Sequence, residues 1–380
     1  MKIAVNTRLL LKDKLEGIGM FSYESLRRIV KAHPEHTFYF IFDRNYDEQF
    51  IFADNVKPVM TFPPARHPYL WYIYFEYSVP YVLRQVKPDI FLSPDGWMSL
   101  RTNVPQVDVI HDLNFEHHPD WLKPKYQKYC TKYFPKFADK AVRLATVSEF
   151  SRQDLHQRYG VPEEKIDVVY NGSSSRFVPL TRERQLDVKS KFSLCCDYFL
   201  FVSAIHKRKN LANMLKAFDA FKGSSDSDMK FLVVGEKAGM QGDVSEVYAQ
   251  MKYADDVRFL GRLSSQDLAD VMGAATALVY ASLFEGFGIP IIEAFSAETA
   301  VITSNVTSMP EVAGDAAVLV DPLSVEQLTD AMRQVALDRD FRSQLIEKGR
   351  LQRLKFSWDK TAELLWNCIV TAATENHIQL

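Results

Sequence analysis

Two carboxylates flank a glycine-rich turn in the segment Glu285-Gly-Phe-Gly-Ile-Pro-Ile-Ile-Glu293. Gly286 and Gly288 lack side chains where a ligand would approach the backbone, and Pro290 suits the first position of a helix, which needs no N–H donor. The free amides of such a helix end favour a diphosphate. A helix starting at Pro290 leaves one glutamate in the loop and one about a turn inside, which indicates two hydroxyl acceptors of a bound sugar nucleotide. A helix N-terminus with one glutamate near its dipole is the structural alternative.

Two segments in the first half of the chain place polar or flexible residues after predicted strands. Gly17 and Gly19 precede a predicted helix, as they would in a ligand-facing loop or in a plain strand-to-helix turn. His111 and Asp112 follow an apolar strand, at the end where open α/β sheets gather ligands, although a single such histidine is usually structural. Arg8 fits a surface position and an acceptor or phosphate contact equally well.

A basic loop follows the first strand of a second strand series. Arg208 and Lys209 stand between that strand and an amphipathic helix, in Val202-Ser-Ala-Ile-His-Lys-Arg208-Lys209-Asn210. A guanidinium and an ammonium at this place suit an anionic phosphate, whereas a solvated basic loop is the simpler alternative.

In type and order these segments resemble the landmarks of glycosyltransferase family 4 (group 1), whose members are retaining enzymes of the GT-B fold. The glycine loop, the His-Asp pair, the Asn171-Gly172 linker, Arg-Lys-Asn-Leu, the two glutamates and a C-terminal tryptophan helix carry the resemblance. It implies an α/β protein of two doubly wound Rossmann-like domains facing across a cleft. It also implies metal-independent transfer of a hexose from a nucleoside diphosphate sugar to a saccharide or lipid-linked acceptor, in polysaccharide or glycan synthesis. The Arg-Lys-Asn-Leu form favours GDP-mannose as the donor.

The resemblance assigns roles to individual residues. Glu285 and His111 would hold the transferred sugar, Glu293 the ribose, and Arg208 with Lys209 the diphosphate. The other implied donor or substrate contacts are Gly17, Gly19, Asp112, Ser203, Arg262, Leu263, Gly286, Phe287, Gly288 and Ile289. Ser203 stands where glycine is usual, and His206-Lys207 replaces a Glu-Pro pair, which leaves the sugar preference open.

Two other functions compete with this interpretation. A dinucleotide oxidoreductase would need Gly-x-Gly-x-x-Gly after the first strand, and Gly17-Ile-Gly19 is followed by Ser22 instead. A non-catalytic nucleotide-sugar-binding protein of the same fold is the second alternative, which the presence of both glutamates and both basic residues disfavours.

Length and composition agree with two soluble α/β domains. The chain has 380 residues and a net charge of −2, which gives no global reason to expect nucleic-acid binding. The four cysteines lack metal-type spacing, and the adjacent pair Cys195-Cys196 favours a reducing cytosol. No charged leader and no run of about 18 apolar residues is present. We therefore expect a cytoplasmic enzyme with no metal and no cofactor besides its donor substrate.

Alternating β-forming and helical stretches predict two parallel sheets. The strands predicted for the first sheet are 2–5, 37–42, 90–93, 107–111 and 141–147. Those predicted for the second sheet are 198–203, 231–235, 257–260, 277–280, 300–303 and 317–320. Loop punctuation near 172–180 separates a domain at 1–175 from one at 176–357, and the resemblance implies that the first binds the acceptor and the second the donor. An apolar stripe along 358–373 predicts a C-terminal helix, about 358–380, that packs on another part of the chain, and the resemblance implies that it returns to the first domain.

Two stretches have compositions that suit peripheral contact with the inner face of a membrane, which is an alternative to ordinary packing. The first is aromatic and contains Trp71, Tyr72, Tyr74, Phe75, Tyr77 and Tyr81. The second, 121–143, is basic and contains Lys123, Lys125, Lys128, Lys132, Lys136, Lys140 and Arg143, interleaved with Tyr126, Tyr129, Tyr133 and Phe137. Helix packing explains the aromatic stretch and a solvated lysine face explains the basic one.

Overall fold

The computed structural model describes residues 1–12, 14–236 and 242–379. Packing divides the chain into unit 1, Met1–Asn171 with Trp358–Leu380, and unit 2, Gly172–Ser357. The division falls beside the predicted boundary at 175. Residues 13, 237–241 and 380 of the predicted domains lie outside the described residues.

The described part of unit 1 is built on a seven-stranded parallel sheet. Its strands are β1 (Lys2–Asn6), β2 (Thr37–Phe42), β3 (Val56–Met60), β4 (Ile90–Ser93), β5 (Gln106–Val109), β6 (Arg143–Thr146) and β7 (Ile166–Val168). The spatial order is β3-β2-β1-β4-β5-β6-β7. The chain leaves β1 towards one edge and returns to its other side, so the switch point where ligands bind in open sheets lies between β1 and β4.

Helices cover this sheet. They are α1 (Gly17–Ala32), α2 (Pro68–Ile73), α3 (Val79–Val86), α4 (Asn114–His117), α5 (Pro124–Lys140) and α6 (Glu149–Tyr159). A π-helical turn, Tyr74–Ser78, joins α2 to α3. Ser148 caps α6 by accepting a hydrogen bond from the backbone N–H of Ser151, as its residue type predicts.

The sheet of unit 2 has six parallel strands among the described residues. They are β8 (Tyr198–Val202), β9 (Lys230–Val234), β10 (Val257–Gly261), β11 (Ala277–Tyr280), β12 (Ala300–Ser304) and β13 (Val318–Val320). The order is β10-β9-β8-β11-β12-β13. Here the switch point lies between β8 and β11.

The helices of unit 2 connect these strands. They are α7 (Arg182–Ser193), α8 (Leu211–Gly223), α9 (Asp243–Gln250), α10 (Ser265–Gly273), α11 (Ile289–Ser296), α12 (Met309–Ala313), α13 (Val325–Leu337) and α14 (Arg339–Gln352). An apolar core that includes Phe199, Phe218 and Phe231 fills the space between the sheet and its helices.

The last helix, α15 (Trp358–Glu375), packs in unit 1. Its apolar stripe is buried as predicted, at Trp358, Ala362, Leu365 and Ile369. The hydroxyl of Thr361 donates to the carbonyl of Tyr170 at 2.6 Å. The prediction that this helix returns to the first domain is confirmed.

Two strands escaped prediction, and both are edges of the unit 1 sheet. β3 contains Pro58, which cannot donate to a ladder, and β7 is only three residues long. Edge strands of open sheets are commonly short or interrupted in this way, which weakens their sequence pattern.

Within the aromatic and basic stretches, burial separates the residues that pack inside unit 1 from those that face solvent. Trp71, Tyr74 and Phe75 are buried, so packing accounts for them, whereas Tyr77 and Tyr81 are exposed. Arg143 does not belong to the basic face, because it lies on β6 and pairs with Asp167. The lysines at 123, 125, 128, 132 and 136 are exposed at the start and along the length of α5. No described helix combines the length and apolar character that crossing a bilayer requires.

Candidate functional site

The loops that follow β8 and β11 are tied together at the switch point of unit 2. The N–H of Leu283 donates to the carbonyl of Arg208 at 2.8 Å. Asn210, in the left-handed conformation, donates to the carbonyls of Ala281 at 2.9 Å and Pro322 at 2.7 Å. The backbone of Leu283 and the side chain of Asn210 therefore hold the basic loop against the loop that follows β11.

Glu285 lies between two cations in these loops. Its Oε2 is 2.8 Å from Nη1 of Arg208, and its Oε1 is 2.5 Å from Nζ of Lys209. The hydroxyl of Tyr280 accepts from Lys209 at 2.9 Å and donates to Oε1 of Glu285 at 2.8 Å. The structure thus brings together three of the four predicted catalytic residues and adds Tyr280, the last residue of β11.

Charge decides the protonation state of this cluster. Burial alone would raise the pKa of Glu285, but the charges of Lys209 and Arg208 outweigh it and lower that pKa to about 2. Burial raises the pKa of Tyr280 well above its usual value, with the Glu285 charge adding to the shift. At neutral pH the cluster therefore holds a carboxylate, a neutral phenol and two cations.

The side chain of Ser308 fixes the turn that leads from Glu285 to α11. Its hydroxyl donates to the carbonyls of Glu285 at 2.9 Å and Phe287 at 3.0 Å. Gly288 adopts φ = +102°, a conformation that favours glycine. The helix begins at Ile289, one residue before the predicted start, so Pro290 is its second residue. That position also requires no N–H donor within the helix, so the proline is still accommodated.

Glu293 lies on α11, apart from the Glu285 cluster. It is partly buried, and desolvation raises its pKa to about 7. No charged group of the described residues contributes to that shift. A carboxyl that is costly to ionise and lacks a counter-charge can gain a hydrogen bond from a hydroxyl.

The other residues of unit 2 that were predicted to contact the donor lie at the carboxyl ends of strands in the same sheet. Ser203 follows β8, and Arg262 and Leu263 follow β10, two strands from β8. Arg262 is exposed and lies 3.8 Å from Glu236. These residues lie at the same ends of the strands as the charged cluster but do not form part of it.

His111 is the predicted sugar-holding residue of unit 1. Its Nε2 is 2.9 Å from the carbonyl of Pro94, so Nε2 carries the proton, because a carbonyl can only accept. The ring meets Phe21 edge-on, at 4.9 Å between centroids. Burial lowers the pKa of His111. Asp112 accepts from the N–H of Asn114 at 3.0 Å, which orders the loop after the histidine.

The two glycines of the first loop lie inside α1 and not before it, which corrects the prediction of a preceding loop. A β-carbon at Gly19 would come within 3.0 Å of the carbonyl oxygen of Leu9, whereas one at Gly17 would meet open space. Gly19 therefore serves close packing, and Gly17 leaves the first turn of the helix accessible.

A buried polar cluster at the switch point of unit 1 was missed. Asn6 donates to Asp95 at 2.8 Å, and Nε of Arg8 lies 2.6 Å from the same carboxylate. The guanidinium of Arg8 also faces the ring of Trp97 at 4.5 Å. Arg8 is buried, so the surface alternative for it is wrong. The signal was present in Asn6 and Asp95, which are polar residues at the ends of two adjacent strands.

Comparisons with known proteins agree with this architecture. The pattern described as "Glycosyltransferase Family 4" matches residues 16–174, and "Glycosyl transferases group 1" matches residues 186–352. The chain is 28% identical over 363 residues to the O-antigen chain mannosyltransferase B of Escherichia coli, covering 92% of this chain and 94% of that protein.

Two further similarities extend the comparison. The O-antigen chain mannosyltransferase RfbU of Salmonella typhimurium is 27% identical over 277 residues, covering 70% of this chain and 73% of that protein. The solved structure of sucrose-phosphate synthase from Thermosynechococcus elongatus superposes with a TM-score of 0.77 at 15% identity, covering 98% of this chain and 99% of that one.

Fold and charged loops together define an α/β enzyme of the GT-B class, with a switch point in each of its two parallel sheets. Within that class, the chain belongs to glycosyltransferase family 4, group 1. It is therefore a glycosyltransferase, which decides against the oxidoreductase alternative.

Proposed function

We propose that this chain transfers a hexose from a nucleoside diphosphate sugar to a saccharide or lipid-linked saccharide, with retention of configuration and without a metal ion. The observation that carries the proposal is Glu285 held between Arg208 and Lys209 at the switch point of unit 2. Two cations against one carboxylate leave a net positive charge where an anionic ligand would bind.

The two cations match the demand of the reaction. As the sugar–phosphate bond breaks, negative charge develops on the leaving diphosphate, and fixed positive groups lower the barrier by stabilising it. Arg208 and Lys209 supply that charge, and the amino end of α11 adds its backbone amides. This is our basis for proposing that no metal is required.

Glu285 acts in this scheme as an acceptor of sugar hydroxyl groups. With a pKa of about 2 it remains ionised at neutral pH, and so acidic a carboxyl is a weak general base. We infer that the acceptor attacks the same face of the sugar that the phosphate leaves, assisted by that phosphate, as the family resemblance implies. His111 would help to hold the sugar, and Glu293 the ribose.

The relatives favour mannose. Two of them are named as O-antigen chain mannosyltransferases, in Escherichia coli and in Salmonella typhimurium. We propose that this chain uses GDP-mannose and acts in the synthesis of a cell-surface polysaccharide. The Arg208-Lys209-Asn210-Leu211 loop, intact in this chain, is consistent with that donor.

A peripheral contact of unit 1 with an anionic bilayer is a further part of the proposal. Phe62 and Tyr69 are 58% and 70% exposed; Tyr69 lies at the amino end of α2, and the carbonyl of Phe62 accepts from the hydroxyl of Ser78, just before α3. Helix α5 packs against α2 and presents a row of exposed lysines. Aromatic rings beside lysines suit the headgroup region, where an enzyme would meet a lipid-linked acceptor.

A donor screen tests the proposed function. The full chain is incubated with UDP- and GDP-linked glucose, galactose, N-acetylglucosamine and mannose, and its melting temperature and slow donor hydrolysis are measured. We expect GDP-mannose to raise the melting temperature and to be hydrolysed. A shift with UDP-glucose alone would contradict the mannose assignment.

Transfer itself separates an enzyme from a binding protein. With GDP-mannose and a mannose oligosaccharide, proton NMR of the product should show an α-linkage, matching the configuration of the donor. A chain that binds the donor but neither hydrolyses nor transfers it would support the non-catalytic alternative. Glu347→Gln, at an exposed glutamate on α14, is the matched control for variants of Glu285.

A further inference from the structure

We propose that His33, Glu35 and His36 bind one transition-metal dication, with Zn²⁺ as the ion that the ligand set fits best. These residues form the turn between α1 and β2 in unit 1. One ligand atom from each lies within 4.8 Å of the other two. Two imidazoles and a carboxylate form a common ligand set for zinc.

The distances within the cluster support a metal more than a set of hydrogen bonds. Oε1 of Glu35 is 3.4 Å from Nδ1 of His33 and 3.4 Å from Nε2 of His36. A good N–H···O hydrogen bond is shorter, about 2.9 Å. In a tetrahedral zinc site with metal–ligand distances of about 2.1 Å, the ligand atoms lie about 3.4 Å apart. The two distances from Oε1 of Glu35 to the histidine nitrogens already have that length.

The turn that carries the ligands is held by backbone contacts. Nδ2 of Asn55, whose two hydrogens both donate, lies among the carbonyl oxygens of Val30 at 3.0 Å, His33 at 3.1 Å and His36 at 3.1 Å. Ligands on a backbone fixed in this way are already positioned and lose little conformational freedom when an ion binds.

The two rings are also oriented by their neighbours. Trp366 of α15 stacks on His33, with centroids 3.7 Å apart and planes 18° apart. The amino group of Met1 lies 3.0 Å from Nδ1 of His36, which leaves Nε2 to face Glu35. With an ion on Nε2, the imidazole proton moves to Nδ1 and donates to the amino group of Met1, which becomes neutral as one of its protons passes to solvent.

The position of the cluster indicates a structural ion and not a catalytic one. His36 directly precedes β2, at the amino ends of the parallel strands, whereas His111 follows β5 at their carboxyl ends. His36 is nearly buried, with 7% of its side chain exposed, but Glu35 is 57% exposed, so water can complete the coordination. Through the stacked ring of Trp366, the ion would tie α15 to the turn before β2.

Zinc titration of the full chain tests the site. Tag-free protein is stripped with EDTA, dialysed and titrated with ZnCl₂ in a calorimeter. We expect one equivalent to bind, and His33→Ala and Glu35→Gln each to weaken binding at least about tenfold. His67→Ala, at a histidine of unit 1 outside the cluster, should keep the full affinity. Equal affinity in all four proteins would overturn the proposal.

A second readout separates this site from adventitious binding. Cu²⁺ quenches a tryptophan that lies against its ligands, so part of the fluorescence should fall with one equivalent of Cu²⁺. That decrease should be absent in Trp366→Phe, which should still bind one Zn²⁺. A decrease that persists in Trp366→Phe would place the ion elsewhere. Circular dichroism checks that each variant folds. If His33→Ala unfolds, Glu35→Gln still tests the site, because the Glu35 side chain is exposed and its replacement should not affect folding.

Discussion

Nζ of Lys209 lies 2.5 Å from Oε1 of Glu285, so the carboxylate proposed to hold the sugar and the ammonium proposed to bind the phosphate form an ion pair with each other. Each therefore sets the charge environment of the other, and a substitution at either position changes both. Removing a partner from a largely buried pair leaves an uncompensated charge, which costs about 3 kcal/mol or more, less where a partner reaches solvent as Arg208 does. Glu285→Ala is expected to lose stability as well as activity.

Glu285→Gln is the cleaner substitution, because it keeps the shape and removes the charge. We expect turnover to fall about a hundredfold, as on loss of one preorganised polar group in an active site. The affinity for GDP should stay the same or rise, because Arg208 and Lys209 lose their internal competitor. Calorimetry with GDP and a donor hydrolysis assay measure the two effects. Near-normal turnover, with Glu347→Gln as the control, would contradict the assignment.

Lys209→Met should act on the leaving group. We expect turnover to fall about a hundredfold and GDP to bind more weakly, because one of the two cations is lost. The pKa of Glu285 should rise, since Lys209 contributes to lowering it. Lys191→Met removes an exposed lysine of α7 and should leave both parameters unchanged. Unaltered GDP affinity in Lys209→Met would argue against a diphosphate clamp.

Glu293 predicts a pH dependence of stability. Its pKa is about 7 in the folded chain against an ordinary value of 4.5, so folding takes up a proton between these values. Stability from this group is present below pH 4.5 and is lost as the pH rises through 7. Glu293→Gln does not titrate, so its melting temperature relative to wild type should increase from pH 5 to pH 8. A constant difference across that range would show that the carboxyl is not desolvated.

His111 should support activity as a neutral imidazole. Burial lowers its pKa below the ordinary value of 6.5, and the hydrogen bond to Pro94 fixes the proton on Nε2. Protonation would then reduce kcat/KM only on the acid side of pH 6.5. His111→Ala should lower kcat with little change in the affinity for GDP, and His67→Ala should change neither. A large loss of GDP affinity in His111→Ala would place the residue at the nucleotide instead.

Vesicle sedimentation tests the membrane contact of unit 1. The double variant Phe62→Ser/Tyr69→Ser should reduce binding to phosphatidylglycerol vesicles, because both side chains are exposed and aromatic. Lys128→Glu/Lys132→Glu should also reduce this binding. The binding that remains should depend less on salt concentration, because part of the electrostatic attraction to the vesicles is removed. Leu323→Ser, at a residue of unit 2 that is 71% exposed, is the matched control. Equal binding of all these proteins would contradict the proposal.

The sequence predicted the central strands well because they are apolar runs, as in β2 and β11. It missed β3 and β7, since Pro58 interrupts the first and the second has only three residues. The two glutamates, separated by seven residues, and the basic loop also pointed to the carboxyl ends of the strands in the unit 2 sheet.

What the sequence could not give is which charged groups meet. The pairing of Glu285 with Arg208 and Lys209 joins residues far apart in the chain, and it depends on the order of β8 and β11 in the sheet. The role of Tyr280 depends on the same ordering, and that of Asp95 on the pairing of β1 with β4 in the other sheet. His33 and His36 converge on Glu35 only because of the turn that Asn55 holds, which no spacing rule describes.

The return of α15 to unit 1 has a consequence for how the protein is made. Residues 172–357 contain all of unit 2, so that unit is synthesised in full before the last helix of unit 1. Until Trp358–Glu375 emerges, the nascent first unit exposes the apolar surface that this helix will cover. The domain synthesised first is thus the last to be completed.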